Sequence, residues 1–256
     1  MTGKHTLIIG GTRGLGREIA KTLKHEGHLL SVVGRKLPDK VPGLPGVSYF
    51  RIDLTKNTAL SLTLNQIVKQ NGKLNHLIFC QRFRGKGDDW HGELSVSLTA
   101  TKNIIERLSG EFVTSADRSI VVISSIISQF IGLEQPAGYH IAKAGLNQLV
   151  RYFAVILGPK GIRVNSVSPG TFIKEESEEF YLKNKKLQDL YKKITPLGRM
   201  NTSKDIANAV SFLVSEKSAF ITGTNIILDG GISLHSHETL SRKLIAFEHP
   251  NIKRKK

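Results

Sequence analysis

A single cysteine, Cys80, among 256 residues excludes an internal disulfide and a zinc site built from several thiolates. No apolar run approaches the roughly eighteen residues that a membrane-spanning helix needs, so a membrane partner is not expected. Met1-Thr2-Gly3-Lys4 leads straight into apolar residues, without the charged, apolar and cleavable parts of a secretory leader. The expected setting is the reducing cytoplasm. Acids are scarce, with Asp+Glu 21 against Lys+Arg 37 and a net charge of +16. That excess favours anionic partners, among them phosphorylated cofactors, acidic substrates, nucleic acid and anionic lipid, without choosing one. Part of it lies in Arg242, Lys243, Lys253, Arg254, Lys255 and Lys256, which read as a solvated basic tail. No recognised nucleic-acid module, internal repeat or interdomain linker is present, so nucleic acid is not an expected partner.

What the chain does contain is an alternation of short apolar runs and helix-length amphipathic stretches. Strands are expected at His5 to Gly10, His28 to Val33, Val47 to Ile52, Asn75 to Cys80, Ser119 to Ser124, Ile162 to Val167 and Asn225 to Leu228. Helices are expected at Gly14 to Glu26, Lys56 to Gln70, Ser95 to Leu108 and Ala137 to Leu157. Strands with so little polar alternation are buried on both faces, as a parallel sheet covered by helices requires. The expected fold is therefore α/β: a Rossmann-type, doubly wound, parallel seven-stranded sheet with helices on both faces. The proline- and glycine-rich stretch Leu37 to Gly46 reads as a loop. Gly170 to Arg199 reads as a charged, helical insertion. Residues 1–234 form one expected domain and 235–256 a basic extension.

Leu7-Ile8-Ile9-Gly10-Gly11-Thr12-Arg13-Gly14-Leu15-Gly16 combines a strand, a glycine-rich turn and a helix start. Gly10, Gly14 and Gly16 let the backbone turn tightly beside a pyrophosphate, and the helix N-terminus offers it free N–H groups. A tight strand-to-helix turn is the bland alternative; the position after the first buried strand favours a dinucleotide. At the end of the second strand a carboxylate would bind the ribose of NAD and repel a 2′-phosphate. Val33-Gly34-Arg35-Lys36 has no acid there, and Arg13 in the glycine loop points to the same region, so NADP(H) is the expected cofactor. Asp53 fits either an adenine contact or a cap on the following helix.

Tyr139 and Lys143 stand one helical turn apart, where a cation lowers a phenol's pKa and makes it a proton donor near neutrality. Ser124-Ser125 closes the fifth strand at the edge where open α/β sheets bind ligands. Singly, these residues read as a half-buried aromatic, a surface charge and a turn; together, after a cofactor loop, they point to catalysis.

These stretches resemble the classical short-chain dehydrogenase/reductase family from about residue 5 to residue 234. Matching segments are Gly10 to Gly16, Ser124-Ser125, Tyr139-xxx-Lys143-Ala144-Gly145, Arg163 to Gly170, Pro196-Leu197-Gly198-Arg199, and Ile221-Thr222-Gly223 through Asp229-Gly230-Gly231. The resemblance implies an oxidoreductase acting on a small carbonyl or alcohol, and the positive charge excess favours an anionic one. It implies Tyr139 as acid/base, Ser125 as carbonyl orienter, and Lys143 as ribose binder and tyrosine tuner. Thr12 and Leu15 join the glycine-loop contacts, while Pro169, Gly170 and Phe172 flank the nicotinamide. A substrate lid in the 170–199 insertion and a homo-oligomer, tetramer or dimer, are implied as well.

The departures are specific. Phe79-Cys80-Gln81-Arg82 replaces the family's Asn-Asn-Ala-Gly, and Lys174 replaces a Thr. Ser97 replaces a helical Asn that supports a proton relay. Its shorter hydroxyl is expected to bond back to the helix carbonyl four residues earlier. Water or a neighbour such as Gln81 would then fill the gap. Ser125 to Tyr139 is one residue longer than the common spacing, so Ser124 stays an alternative. These losses motivate a second reading, a cofactor-binding sensor or regulatory subunit with little turnover. His235-Ser236-His237 lacks a carboxylate or thiol partner and reads as a loop, so no metal is expected. Cys80 reads as a packed thiol.

Overall fold

A computed structural model describes residues 3–37, 43–85, 89–114, 117–175 and 178–245. Of the expected features, residues 38–42 of the proline-rich loop and the basic residues 253–256 lie outside these. In chain order the elements are β1 (His5–Ile9), α1 (Gly14–His25), β2 (Leu29–Gly34), β3 (Val47–Arg51), α2 (Asn57–Asn71) and β4 (His76–Phe79). Then come α3 (Trp90–Glu93), a π-helical turn (Leu94–Thr99), α4 (Ala100–Leu108), β5 (Ser119–Ile123), α5 (Ala137–Leu157) and β6 (Arg163–Pro169). The chain continues with β7 (Phe172–Ile173), α6 (Glu178–Lys183), α7 (Lys185–Ile194), β8 (Asn201–Thr202), α8 (Ser203–Val214), β9 (Asn225–Leu228) and α9 (His237–Leu244).

Seven strands form one parallel sheet in the order β3-β2-β1-β4-β5-β6-β9. Most residues of β1, β2, β4 and β5 are apolar because successive side chains enter two different cores. Leu7 and Ile9 join Ile120, Val122, Leu146 and Val150 on the face covered by α2, α4 and α5. Ile8, between them, joins Ile19, Val32, Val121 and Val210 on the face covered by α1 and α8. Strand order reverses between β1 and β4, and a doubly wound sheet binds ligands at the carboxyl ends of its strands at such a point.

The expected boundaries fall within two residues of the structure, with one exception. The helix expected from Ser95 starts at Trp90 and passes through the π turn before α4. Sequence periodicity misses its first turn because Gly92 and a buried acid, Glu93, interrupt the apolar stripe. The expected basic extension includes a helix: α9, capped by Ser236, packs on α7 of the insertion.

Candidate active site

The glycine loop lies at the switch point. Gly10 has φ +85°, and a Cβ there would stand 2.6 Å from the Gln81 nitrogen at the end of β4. Only a residue without a side chain fits that backbone against that neighbour. Helix α1 begins with no side-chain cap from Arg13 and no acid in its first turn. By contrast α8 carries a full capping box from Thr202 and Asp205, and Asn184 caps α7. The N–H groups that open α1 thus have no side-chain acceptor among the described residues, as is also true of α2 and α5. The Thr12 side chain packs on the backbone of Gly34, and a Cβ on Gly34 would lie 2.5 Å from it. The exposed Arg13 and Arg35, each next in the chain, therefore share one rim. Asp53 accepts bonds from the Thr55 nitrogen at 3.0 Å and hydroxyl at 2.8 Å. It closes a turn before α2 and does not cap that helix, whose N-cap is Lys56.

At the end of β5 the two serines differ. The Ser124 hydroxyl donates to the Lys143 carbonyl at 3.1 Å and ties the strand to α5. The Ser125 oxygen accepts a bond from the Ile127 nitrogen at 3.3 Å, and its O–H has no acceptor among the described residues. Ser125 is the one of the two with a hydroxyl proton to offer a ligand. Lys143 is buried and donates to the Ile123 carbonyl at 2.8 Å; its nitrogen lies 5.6 Å from the centre of the Tyr139 ring. One turn further along α5, Asn147 donates to Ser128 at 2.8 Å and accepts from Ser166 at 3.3 Å. Ser166 and Ser168 both reach the Asn225 side chain, at 3.0 and 2.8 Å. This buried polar ladder fixes α5, and with it Tyr139 and Lys143, against β6 and β9. Gly170, after Pro169, stands 3.7 Å by its virtual Cβ from Ile126, beside Ser125. The half-buried Phe172 carries Lys174 over its ring at 5.7 Å. Arg17 in α1 pairs with Glu175 at 2.9 Å, which joins the glycine-loop helix to the insertion.

The surroundings of Ser97 hold what the sequence did not reveal. Ser97 is buried in the π turn, and its hydroxyl donates to the Glu93 carboxylate at 3.3 Å, where a bond to a main-chain carbonyl was expected. Gln81 does not fill the gap: its amide donates to Thr101 at 2.7 Å, and Thr101 donates to the Ser97 carbonyl at 2.7 Å. Burial pushes the Glu93 carboxyl above the usual range, opposed by the Arg82 charge, the Ser97 bond and the Lys143 charge. Arg82, at the family's glycine position, places its guanidinium 5.1 Å over the Tyr139 ring and bonds Gln135 at 2.8 Å. The pair Glu93-xxx-Ser97 was visible as an i, i+4 spacing, but only had the helix been started early enough. Desolvation pushes the Cys80 thiol up to about 12, so it is not a nucleophile. No cluster of metal-binding side chains occurs among the described residues. None of the described helices is long and apolar enough to cross a membrane.

The chain is similar to known proteins over most of its length. A family profile described as enoyl-(acyl carrier protein) reductase matches residues 10–233. An uncharacterised oxidoreductase of Schizosaccharomyces pombe is 31% identical over 244 residues, 90% of this chain and 91% of that protein. A 3-oxoacyl-(acyl-carrier-protein) reductase of Chlamydia pneumoniae is 27% identical over 91% of this chain and 98% of its own length. A short-chain dehydrogenase/reductase structure from Serratia marcescens superposes with a TM-score of 0.78 at 26% identity, covering 91% of this chain and 98% of the other.

Proposed function

Because the chain belongs to the short-chain dehydrogenase/reductase family of oxidoreductases, we propose that it is an NADP(H)-preferring enzyme that interconverts a small carbonyl compound and its alcohol. The observation that carries this reading is the buried Lys143, held by the Ile123 carbonyl and set beside Tyr139 on one face of α5. When bound, the nicotinamide supplies or accepts the hydride. The protein's part is positional and electrostatic. The open N-terminus of α1 and the Gly10 turn hold the pyrophosphate. Arg13 and Arg35 meet the 2′-phosphate, and Lys143 bonds the ribose. Ser125 donates its hydroxyl proton to the substrate oxygen as negative charge develops there. Tyr139 protonates that oxygen in reduction and takes the proton back in oxidation. Pro169, Gly170 and Phe172 wall the nicotinamide on the side of β6.

The relatives' names make a 3-oxoacyl thioester the first substrate to test. The assay is oxidation of NADPH and of NADH against acetoacetyl-coenzyme A and a panel of ketones and aldehydes. Turnover with NADPH over NADH supports the reading. Tight NADPH binding without turnover on any carbonyl or alcohol favours the sensor instead, a reading supported by Arg82 lying over the tyrosine ring. The exposed apolar side chains Tyr152, Val155 and Ile156 along α5, and Phe220 and Ile227 at the β9 edge, support a homo-oligomer.

A further inference from the structure

The geometry points to Glu93 as the positioning residue that returns a proton to the Tyr139–Lys143 pair after each turnover. The inference rests on reading that pair as the acid–base couple. Glu93 is only 5% exposed, an expensive place for a carboxylate unless it is compensated or protonated. It lies against the start of α5, next to the tyrosine. A Cβ on Gly138 would stand 3.3 Å from the Glu93 Cβ, so the glycine before Tyr139 is what lets α3 approach so closely. Of the groups expected to supply the relay, the Gln81 oxygen is left without a partner among the described residues, but an amide oxygen accepts a bond and has no proton to give. Thr101 occupies the Ser97 carbonyl, and Gln81 is tied to Thr101. The Ser97 hydroxyl orients the Glu93 carboxyl.

Charged and titratable neighbours come from three sides. Asp89 and His91 lie on or beside α3, Arg82 follows β4, and Tyr139 and Lys143 project from α5. Burial and the Asp89 charge favour the protonated carboxyl, and the charges of Arg82 and Lys143 favour the carboxylate. The group therefore exchanges its proton closer to neutrality than an exposed glutamate does.

The steps balance. In reduction the Tyr139 O–H bond breaks and its proton passes to the substrate oxygen, leaving a phenolate. The Lys143 ammonium gives a proton to the phenolate, the Glu93 carboxylic acid returns one to the resulting amine through bridging water, and solvent reprotonates the carboxylate. One proton is drawn from solvent for each carbonyl reduced.

The first test needs no substrate: an infrared difference titration of the whole protein. The expected result is a carboxylic-acid carbonyl band that shifts in deuterated water, titrates above the range of exposed glutamates and is missing from Glu93→Gln. Absence of that band overturns the proposal. The second test follows NADPH oxidation with acetoacetyl-coenzyme A as probe. In Glu93→Gln the single-turnover rate and NADPH affinity stay within about twofold while steady-state kcat falls by about tenfold or more. Ser97→Ala, which keeps the carboxyl, shows a smaller fall of the same kind and serves if the glutamine variant does not fold. An unchanged kcat, or single-turnover and steady-state rates that fall together, overturns the relay. The Tyr139→Phe protein separates the two layers. If it is inactive while Glu93→Gln is unimpaired, the relay alone is wrong. If it turns over like wild type, the acid–base reading is wrong and the relay falls with it.

Discussion

The Lys143 ammonium donates to the Ile123 carbonyl at 2.8 Å, so the cation beside Tyr139 is fastened to the end of the central strand β5 and cannot swing into solvent. The tether predicts a double effect for Lys143→Met. The Ile123 carbonyl loses its donor in a buried setting, at a cost of about 1–3 kcal/mol in folding stability. NADPH affinity and turnover fall together. Thermal unfolding, NADPH titration and steady-state rates on one preparation check this; a variant altered in none of them contradicts the assignment of Lys143.

Arg13→Ala and Arg35→Ala are expected to weaken NADPH binding by about tenfold each, the lower end for charge-assisted contacts because both side chains are exposed. NADH affinity is expected to stay within about twofold. Titration of both cofactors with each variant is the measurement, and equal wild-type affinities for NADH and NADPH rule out the phosphate rim.

Stability should fall in acid. Burial, and secondarily the His28 charge, pull His76 down to about 2, and burial also lowers His5 and His28 below the ordinary histidine range. Each imidazole is held neutral in the folded protein, so the unfolded chain binds more protons as pH drops. The stabilising contribution is complete above the unfolded pKa, near 6.5, and is lost progressively as pH falls towards about 2 for His76. The slope is about 1.4 kcal/mol per pH unit for each such histidine within its window. His76→Asn, which keeps a hydrogen-bonding side chain beside Ser119, should flatten the acid limb of a melting-temperature profile between about pH 4 and 6. A profile as steep as wild type would show that His76 does not contribute to it.

Removing residues 237–256 deletes α9, which packs on α7 of the insertion and outside both sheet-facing cores. The truncated protein is expected to fold and to bind NADPH as wild type does. KM for a carbonyl substrate is expected to rise by a few fold, because α7 loses its support. Loss of cooperative unfolding in the truncated protein would place the domain's end beyond residue 236.

Much of this was written in the chain. Ile8 and its neighbours Leu7 and Ile9 are all apolar because the strand is buried on both sides, and that pattern alone specifies a covered parallel sheet. Gly10, Tyr139 and Lys143 stood out because their spacing has a physical reason that survives without coordinates. The choice between Ser124 and Ser125 needed the structure, since adjacent serines differ only in where each hydroxyl is tied. Glu93 was hidden for another reason. A glutamate beside a glycine reads as solvent-facing loop, and nothing local announces that Gly138, 45 residues later, opens a place for it (138 − 93). Arg82 likewise follows a strand as an ordinary surface arginine would, and only the packing of α5 sets Tyr139 beneath it.

The measurement closest to the central claim is a paired assay of wild type and Tyr139→Phe: NADPH binding by fluorescence titration, and NADPH oxidation with a carbonyl substrate on the same samples. Loss of the phenol proton should leave cofactor affinity within about twofold while turnover falls by about 10²- to 10⁴-fold, the range for removing a general acid. Turnover in the phenylalanine variant close to wild type would contradict the account.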